Sequence, residues 1–279
     1  MQPEVLICTS ITEPGIVKNW GKGMSHRHVA PTQNKVPEVT IAFWTIKILS
    51  TTVGETGADY LAVHVGLGAT LTIAITLSML AASLVTQLMK RAYVPWIYWL
   101  TVVLVSVVGT QLTDVLTDVL GVSLYTSTAA FAVLLCVIFG TWYYRERTLS
   151  IHTIVTRNRE LFYWTAILVT FALGTAAGDL ATEALGLGFS LGVVIFGVML
   201  VMMGVAAYLG ADRVLIFWLA YILTRPFGAS LGDLLSQATE YGGLGLGTVV
   251  TSIAFLSIIV VLVFLHTAAR VRQSRISST

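Results

Sequence analysis

Eight apolar segments, each close to the length of a membrane-spanning helix, dominate the sequence. They cover roughly residues 39–63, 69–89, 95–119, 123–144, 161–185, 189–210, 213–238 and 248–269. An α-helix needs ~20 apolar residues to cross ~30 Å of hydrocarbon, whereas a barrel strand is half as long and alternates in hydropathy. Only 11% of the 279 residues are charged, less than half of the share that is usual in soluble domains. We therefore predict an all-α, polytopic membrane bundle of eight transmembrane helices.

The basic residues between these segments indicate how the chain is oriented. Lys and Arg occur in the N-terminal tail, the 2–3 and 4–5 connections, the 6–7 turn and the C-terminal tail. The 1–2, 3–4, 5–6 and 7–8 connections contain neither. Because basic loops stay on the cytoplasmic side, we predict that both termini are cytoplasmic. We predict a disordered tail over residues 1–34, a transmembrane domain over 35–270 and a second cytoplasmic tail over 271–279; whether Met24 is the true start stays open.

A three-residue pattern recurs in every odd-numbered segment. The spacing W-x9-G-x4-D begins at Trp44, Trp99, Trp164 and Trp218. With each Trp as position 0 of a register, the glycine lies at +10 and the aspartate at +15. This recurrence predicts four two-helix repeats, at about 39–89, 95–144, 161–210 and 213–269. Since each repeat has an even number of helices, the four copies are parallel. We interpret the tryptophans as anchors at the membrane interface and the glycines as close-packing positions.

The repeats place acidic side chains inside the predicted membrane region. Fifteen residues of helix rise about 22 Å, so the four +15 aspartates share one depth, and three further acids lie at +11 or +19. The predicted metal ligands are Glu55, Asp59, Asp114, Asp118, Asp179, Glu183 and Asp233, with Lys47 and Arg225 as charge partners. Seven acids minus two bases leaves five acids unpaired. Because an isolated charge is costly in lipid, we expect protons or a cation to neutralise them, unless ion pairs such as Asp233–Arg225 are purely structural.

Carboxylate ligands favour hard divalent ions such as Mn²⁺, Mg²⁺ or Ca²⁺. Further oxygens are available on Thr51, Thr52, Thr113 and Thr175. The pattern therefore predicts a secondary transporter, not an enzyme, whose substrate is a divalent metal ion exchanged for protons. We expect the lipid bilayer as its surroundings, no organic cofactor and no nucleic-acid partner, and a homodimer stays open. Two alternatives are a proton-coupled carrier of a small solute or anion held by the two bases, and an intramembrane enzyme with paired carboxylates.

Two stretches also resemble known families. Residues 35–59 and 217–233, which read KVPEVTIAFWTIKILSTTVGETGAD and FWLAYILTRPFGASLGD, are similar to a bacterial group of uncharacterised membrane-anchored, multi-pass proteins with repeated Gly-x4-Asp motifs. This resemblance covers about residues 35–270 and implies the bacterial inner membrane. Residues 55–59, ETGAD, resemble the Glu-x-Gly-Asp motif of bacterial manganese and calcium exporters, although Ala58 is an extra residue and the following basic residue is missing. That second resemblance implies cation export, with Mn²⁺ favoured.

Overall fold

The computed structural model describes residues 34–63 and 69–276, and eight long helices make up most of this part of the chain. They are α1 (Ile41–Val63), α2 (Ala69–Met89), α3 (Pro95–Asp114), α4 (Leu124–Glu146), α5 (Arg157–Asp179), α6 (Gly188–Tyr208), α7 (Arg213–Ser236) and α8 (Thr248–Ile276). These described ranges contain no β-strand, which confirms the predicted all-α class. The predicted N-terminal tail lies outside them except for Asn34. Most of the predicted C-terminal tail is helical, because α8 continues to Ile276.

Seven of these helices, α2 to α8, are long and apolar enough to cross a membrane by length and composition. Helix α1 has 23 residues but carries Lys47, Glu55 and Asp59. It packs against α3, α7 and α8, and Lys47 and Glu55 are buried. The most charged helix therefore directs these charges into protein, which avoids the cost of exposing them to lipid.

The four odd-numbered helices form a closed inner ring. Helix α1 packs on α3, α3 on α5, α5 on α7, and α7 returns to α1. Half to two thirds of the apolar stretch is buried in α3, α5 and α7, compared with 11–28% in α2, α4, α6 and α8. The even-numbered helices therefore form an outer layer, whose apolar surface is available to lipid.

Each outer helix packs mainly on the inner helix of the following repeat. Helix α2 packs on α3, α4 on α5, α6 on α7 and α8 on α1, whereas α2 has little contact with α1 of its own repeat. The repeats therefore interlock around the ring, and the contact between α8 and α1 completes it.

The glycine at +10 of each repeat lies where two inner helices approach closely. A Cβ atom built at this position would overlap a side chain of the next helix. The pairs are Gly54 with Ser106, Gly109 with Phe171, Gly174 with Arg225, and Gly228 with Thr51. All four contacted residues occupy position +7 of the next repeat. Because the same two register positions meet four times, the inner helices are parallel and level, and the +10 glycines are close-packing positions.

An aromatic layer fills the inner ring at position 0. Each repeat contributes its Trp and the aromatic residue before it, and the residue at −1 contacts the Trp of the next repeat. The ring centroids are 5.6 Å apart for Phe43–Trp99, 5.5 Å for Tyr98–Trp164, 6.2 Å for Tyr163–Trp218 and 5.7 Å for Phe217–Trp44. Trp99, Trp164 and Trp218 are at most 5% exposed. For these three the interpretation as interface anchors is wrong, because they pack against one another inside the bundle.

A buried ion pair fastens the segment before α1 to the same end of the bundle. Lys35 Nζ lies 2.5 Å from Glu160 Oε2 and also donates to the Leu88 carbonyl at 3.2 Å. The other carboxylate oxygen of Glu160 accepts from Gln87 Nε2 at 3.2 Å. This network joins α2, α5 and the chain entering α1. Lys35, the first residue of the predicted transmembrane domain, is therefore anchored to the folded bundle.

Candidate cation site at the centre of the ring

Arg225 lies at +7 of α7 and is completely buried. Its Nη2 atom donates to Glu55 Oε2 at 2.6 Å, to Thr175 Oγ1 at 2.7 Å and to Thr110 Oγ1. Its Nη1 atom donates to the Thr51 carbonyl oxygen at 3.1 Å. A buried cation is stable only when it is paired and hydrogen-bonded. One guanidinium group meets this need by contacting all three other inner helices.

Three of the groups that bind Arg225 Nη2 occupy the same register position. Glu55, Thr110 and Thr175 all lie at +11, and the fourth residue at +11 is Ala229. Glu55 and Thr175 are among the predicted oxygen ligands, but Thr110 is not. The signal that could have found it is an oxygen-bearing side chain at +11 in three of the four repeats.

Three of the predicted metal ligands converge beside Arg225. One carboxylate oxygen each from Glu55, Asp179 and Asp233 lies within 4.8 Å of the other two. Two oxygens bound to the same ion are separated by at most twice the bond length, or about 4–5 Å for bonds of 2.0–2.6 Å. Helices α1, α5 and α7 therefore bring three carboxylates to positions from which they could bind one hard cation.

The other two +15 aspartates lie next to this group. Asp59 and Asp114 are half-buried, and the Asp114 carboxyl is close enough to Glu55 and Asp59 for their charges to interact. The buried Oδ2 atom of Asp59 has no hydrogen-bond partner among the described residues. The four +15 aspartates and Glu55 therefore make one acidic layer, with an unused acceptor at its edge.

Asp118 and Glu183, the predicted ligands at +19, are exposed instead of buried. Each lies in a π-helical turn, Val115–Val119 or Leu180–Ala184, that follows the +15 aspartate. Each is the next-to-last residue of its turn, at the end of the membrane-spanning segment, where the side chain extends beyond the packed interior. The prediction of seven buried acids is therefore wrong for these two, and five acids remain in the interior.

Lys47, the second predicted charge partner, lies at +3 and is completely buried. Its Nζ atom is 3.9 Å from the centroid of the Phe171 ring and 4.2 Å from that of Tyr221. It has no hydrogen-bond acceptor within the described ranges. The structure therefore gives Lys47 aromatic partners in place of the expected acids. Likewise, Arg225 pairs with Glu55, not with Asp233.

Two cavities lie at the end of the bundle that carries the acidic layer. One of about 410 Å³ is lined by Asp59, Ser236 and the start of α8. The other, of about 430 Å³, is lined by Glu183, Thr182 and Tyr241. Gln237, at +19 of the fourth repeat, lines both. The acidic layer therefore borders open space at Asp59.

A comparison with protein families matches the same four units. The family model described as a Repeat of Unknown Function (DUF347) matches residues 42–93, 97–148, 162–211 and 216–272. The chain belongs to the DUF347 repeat family. Each DUF347 match contains one inner and one outer helix, which confirms the four predicted repeats. No curated protein and no solved structure matches the chain.

Proposed function

We propose that this DUF347 protein is a secondary transporter of a divalent metal cation, a manganese-like hard ion, and that its carboxylates form the binding site. The observation that supports this most directly is the convergence of Glu55, Asp179 and Asp233 within 4.8 Å of one another. Carboxylate oxygens are the preferred ligands of such ions. Asp59, which belongs to the same acidic layer, lines a cavity of about 410 Å³.

The balance of charge in the interior favours a cationic substrate. Five acids lie in the acidic layer, and the two buried bases in the same helices are Arg225 and Lys47. Five minus two leaves three acids without a matching positive charge. A divalent cation together with protons offsets this excess, and crowded carboxylates release protons when a metal binds. Proton exchange is therefore the coupling that we propose.

Before a metal ion binds, the guanidinium group of Arg225 supplies the positive charge that pairs with Glu55. Its Nη2 atom holds Glu55 and also two threonine hydroxyls. When a cation reaches the three carboxylates, Glu55 turns from the guanidinium to the ion, and Arg225 keeps Thr110 and Thr175 as acceptors. Export is the direction that the resemblance to manganese and calcium exporters favours.

The two bases are poorly placed to carry an anion. Both Nη atoms of Arg225 already donate to protein oxygens, and the Lys47 ammonium lies against two aromatic rings. An anionic substrate would have to displace these contacts and approach five acids. The geometry thus favours the cation over the anion alternative.

The proposal is tested with purified protein in proteoliposomes that contain an Mn²⁺-sensitive dye. We expect Asp179→Asn and Asp233→Asn each to reduce Mn²⁺ flux at least about tenfold, because a lost charged contact is worth ~1.5–3 kcal/mol. Glu240→Gln is the matched control, since Glu240 is an exposed acid in the Thr239–Tyr241 turn. Mn²⁺ flux equal to that of the unmodified protein in both aspartate variants would rule the proposal out.

Proton coupling and the cellular role need separate measurements. A pH-sensitive dye in the same vesicles should report proton movement opposite to Mn²⁺, and this signal should disappear with the flux in Asp179→Asn. In cells, Asp59→Asn and Asp179→Asn should change manganese tolerance and metal content as deletion of the gene does. Unchanged tolerance and content would contradict a role in metal transport.

A further inference from the structure

A large apolar groove opens between α1, α6 and α7. The residues at +7, which include Arg225 and are called the Arg225 layer here, separate this groove from the acidic layer. The volume of the groove is about 750 Å³, within the ~300–1,000 Å³ of ligand-binding sites. Trp44, Ile48, Gly204 and Ala220 contribute to its walls, and Thr224 lies at its inner end. Arg213 and His152 line its outer end, and both are exposed.

The size of this groove comes from small side chains at one of the ring's equivalent contacts. The corresponding cavity between α1, α3 and α8 has a volume of only about 270 Å³. Ile46 lines that smaller cavity at +2, where α7 has Ala220. Helix α6 adds Gly204 and Ala207 to the larger one. The groove between α1, α6 and α7 is therefore wider than its counterpart between α1, α3 and α8.

The length and polarity of the groove match one leaflet of a bilayer. Arg213 and Thr224 are eleven residues apart on α7, a rise of roughly 16 Å. The hydrocarbon of a bilayer is ~30 Å thick, so one leaflet accounts for about half of that. The outer end carries a guanidinium and an imidazole, whereas most of the wall below them is apolar.

We propose that this groove binds an anionic phospholipid, with one acyl chain between α6 and α1 and the phosphate at Arg213 and His152. Charge complementarity selects this occupant: an arginine and a histidine line the outer end, and none of the groove's described lining residues is acidic. Basic pockets between transmembrane helices recognise anionic headgroups in this way. The neighbouring Asp212 caps α7 by accepting from Leu215 N at 2.8 Å and does not line the groove.

The inner end of the groove adjoins the Arg225 layer. Thr51 Oγ1 donates to the Thr224 carbonyl at 3.2 Å, and the Thr51 carbonyl accepts from Arg225. A bound acyl chain would therefore end against the contact between α1 and α7, one residue before Arg225.

The test compares lipid retention by native mass spectrometry after adding dioleoyl phosphatidylglycerol or dioleoyl phosphatidylcholine to the purified full chain. We expect the unmodified protein to retain phosphatidylglycerol preferentially and Gly204→Leu to lose it. Gly140→Leu on α4 is the matched control, because a Cβ at Gly140 or Gly204 meets no atom within 4 Å. Equal retention by Gly204→Leu and the unmodified protein, or equal loss by both leucine variants, would overturn the proposal.

A second pair of substitutions tests the headgroup. Arg213→Gln with His152→Gln should weaken phosphatidylglycerol binding about tenfold and leave phosphatidylcholine unchanged. The choline ammonium already compensates the phosphate of phosphatidylcholine, whereas the net negative charge of phosphatidylglycerol loses its basic partners. Equal retention of both lipids by the unmodified protein would identify a groove that accepts any acyl chain, and would overturn the anionic assignment. This arm decides the question even if Gly204→Leu fails to fold.

Discussion

The aromatic layer and the Arg225 layer are built from the same four helices, yet they use the repeat in opposite ways. In the aromatic layer every repeat supplies a Trp at 0 and a Phe or Tyr at −1, and four similar contacts close the ring. At +7, by contrast, the four repeats supply Thr51, Ser106, Phe171 and Arg225. One layer keeps the symmetry of the repeat and the other breaks it.

The geometry of the ring explains why the four residues of the Arg225 layer differ from one another. Residues that point toward the axis of a parallel ring come close together, so four identical charges there would repel one another strongly at low dielectric. A single guanidinium can instead share its donors among the neighbouring helices, as Arg225 does. The Trp at 0 and the Gly at +10, which are kept in all repeats, therefore pack the inner helices together. The candidate site combines the aspartate at +15, which is also kept, with residues at +7 and +11 that differ between repeats.

The largest effect should come from removing the central cation. Arg225→Met leaves the buried Glu55 carboxylate unpaired, which costs ~3–5 kcal/mol, and should greatly lower the thermal unfolding temperature in detergent. Arg159→Met is the matched control, because it breaks a partly exposed pair with Glu146, worth about 1 kcal/mol or less.

A double substitution distinguishes the ion pair from simple packing. Arg225→Met combined with Glu55→Gln should be more stable than Arg225→Met alone, because no unpaired charge remains. If Arg225→Met and Arg159→Met lowered the unfolding temperature equally, Arg225 would stabilise the protein no more than an exposed ion pair does.

A smaller effect is expected at the +10 glycines. Gly174→Ala places a methyl group onto the Arg225 side chain, and overpacking of this kind costs ~1–3 kcal/mol. Gly140→Ala, which meets open space, should instead stabilise its helix by up to ~1 kcal/mol. Thermal unfolding of both proteins measures the difference. A similar change in both would mean that the inner helices do not depend on close approach at +10.

The smallest effect should occur in the aromatic layer. Tyr98→Phe removes the 2.5 Å hydrogen bond between the Tyr98 and Tyr163 hydroxyls at a cost of ~0.5–1.5 kcal/mol, but it keeps the ring contacts. Repeats one and four already have Phe at this position, so Mn²⁺ flux should not change. Tyr143→Phe, at an exposed tyrosine, is the control for stability. A large loss of flux in Tyr98→Phe would show that the aromatic layer takes part in transport directly.

The parts of the fold that repeat along the chain could be predicted from the sequence. The eight helices, the four units and the register of Gly174 and Asp179 all follow from periodic residue patterns. The order in which the helices pack around the ring could not be predicted, because periodicity does not identify which helix packs on which. Thr110 was missed because threonines are frequent in these helices. The exposure of Asp118 could not be predicted, because the residue lies in a π-turn at the end of its helix and this turn has no recognisable sequence signal.

The contact between α8 and α1 has a consequence for how the chain is made. Helix α1 leaves the ribosome before α2 to α8, and α8, the last of these helices to be synthesised, covers its outer side. The packing of α1 is therefore complete only once α8 has been made, and a product that stops after α6 lacks both α7 and α8 as partners of α1. The contact of α8 with α1 is equivalent to the contacts of α2 with α3, α4 with α5 and α6 with α7. A circular permutant with its termini between two other repeats should therefore form the same ring.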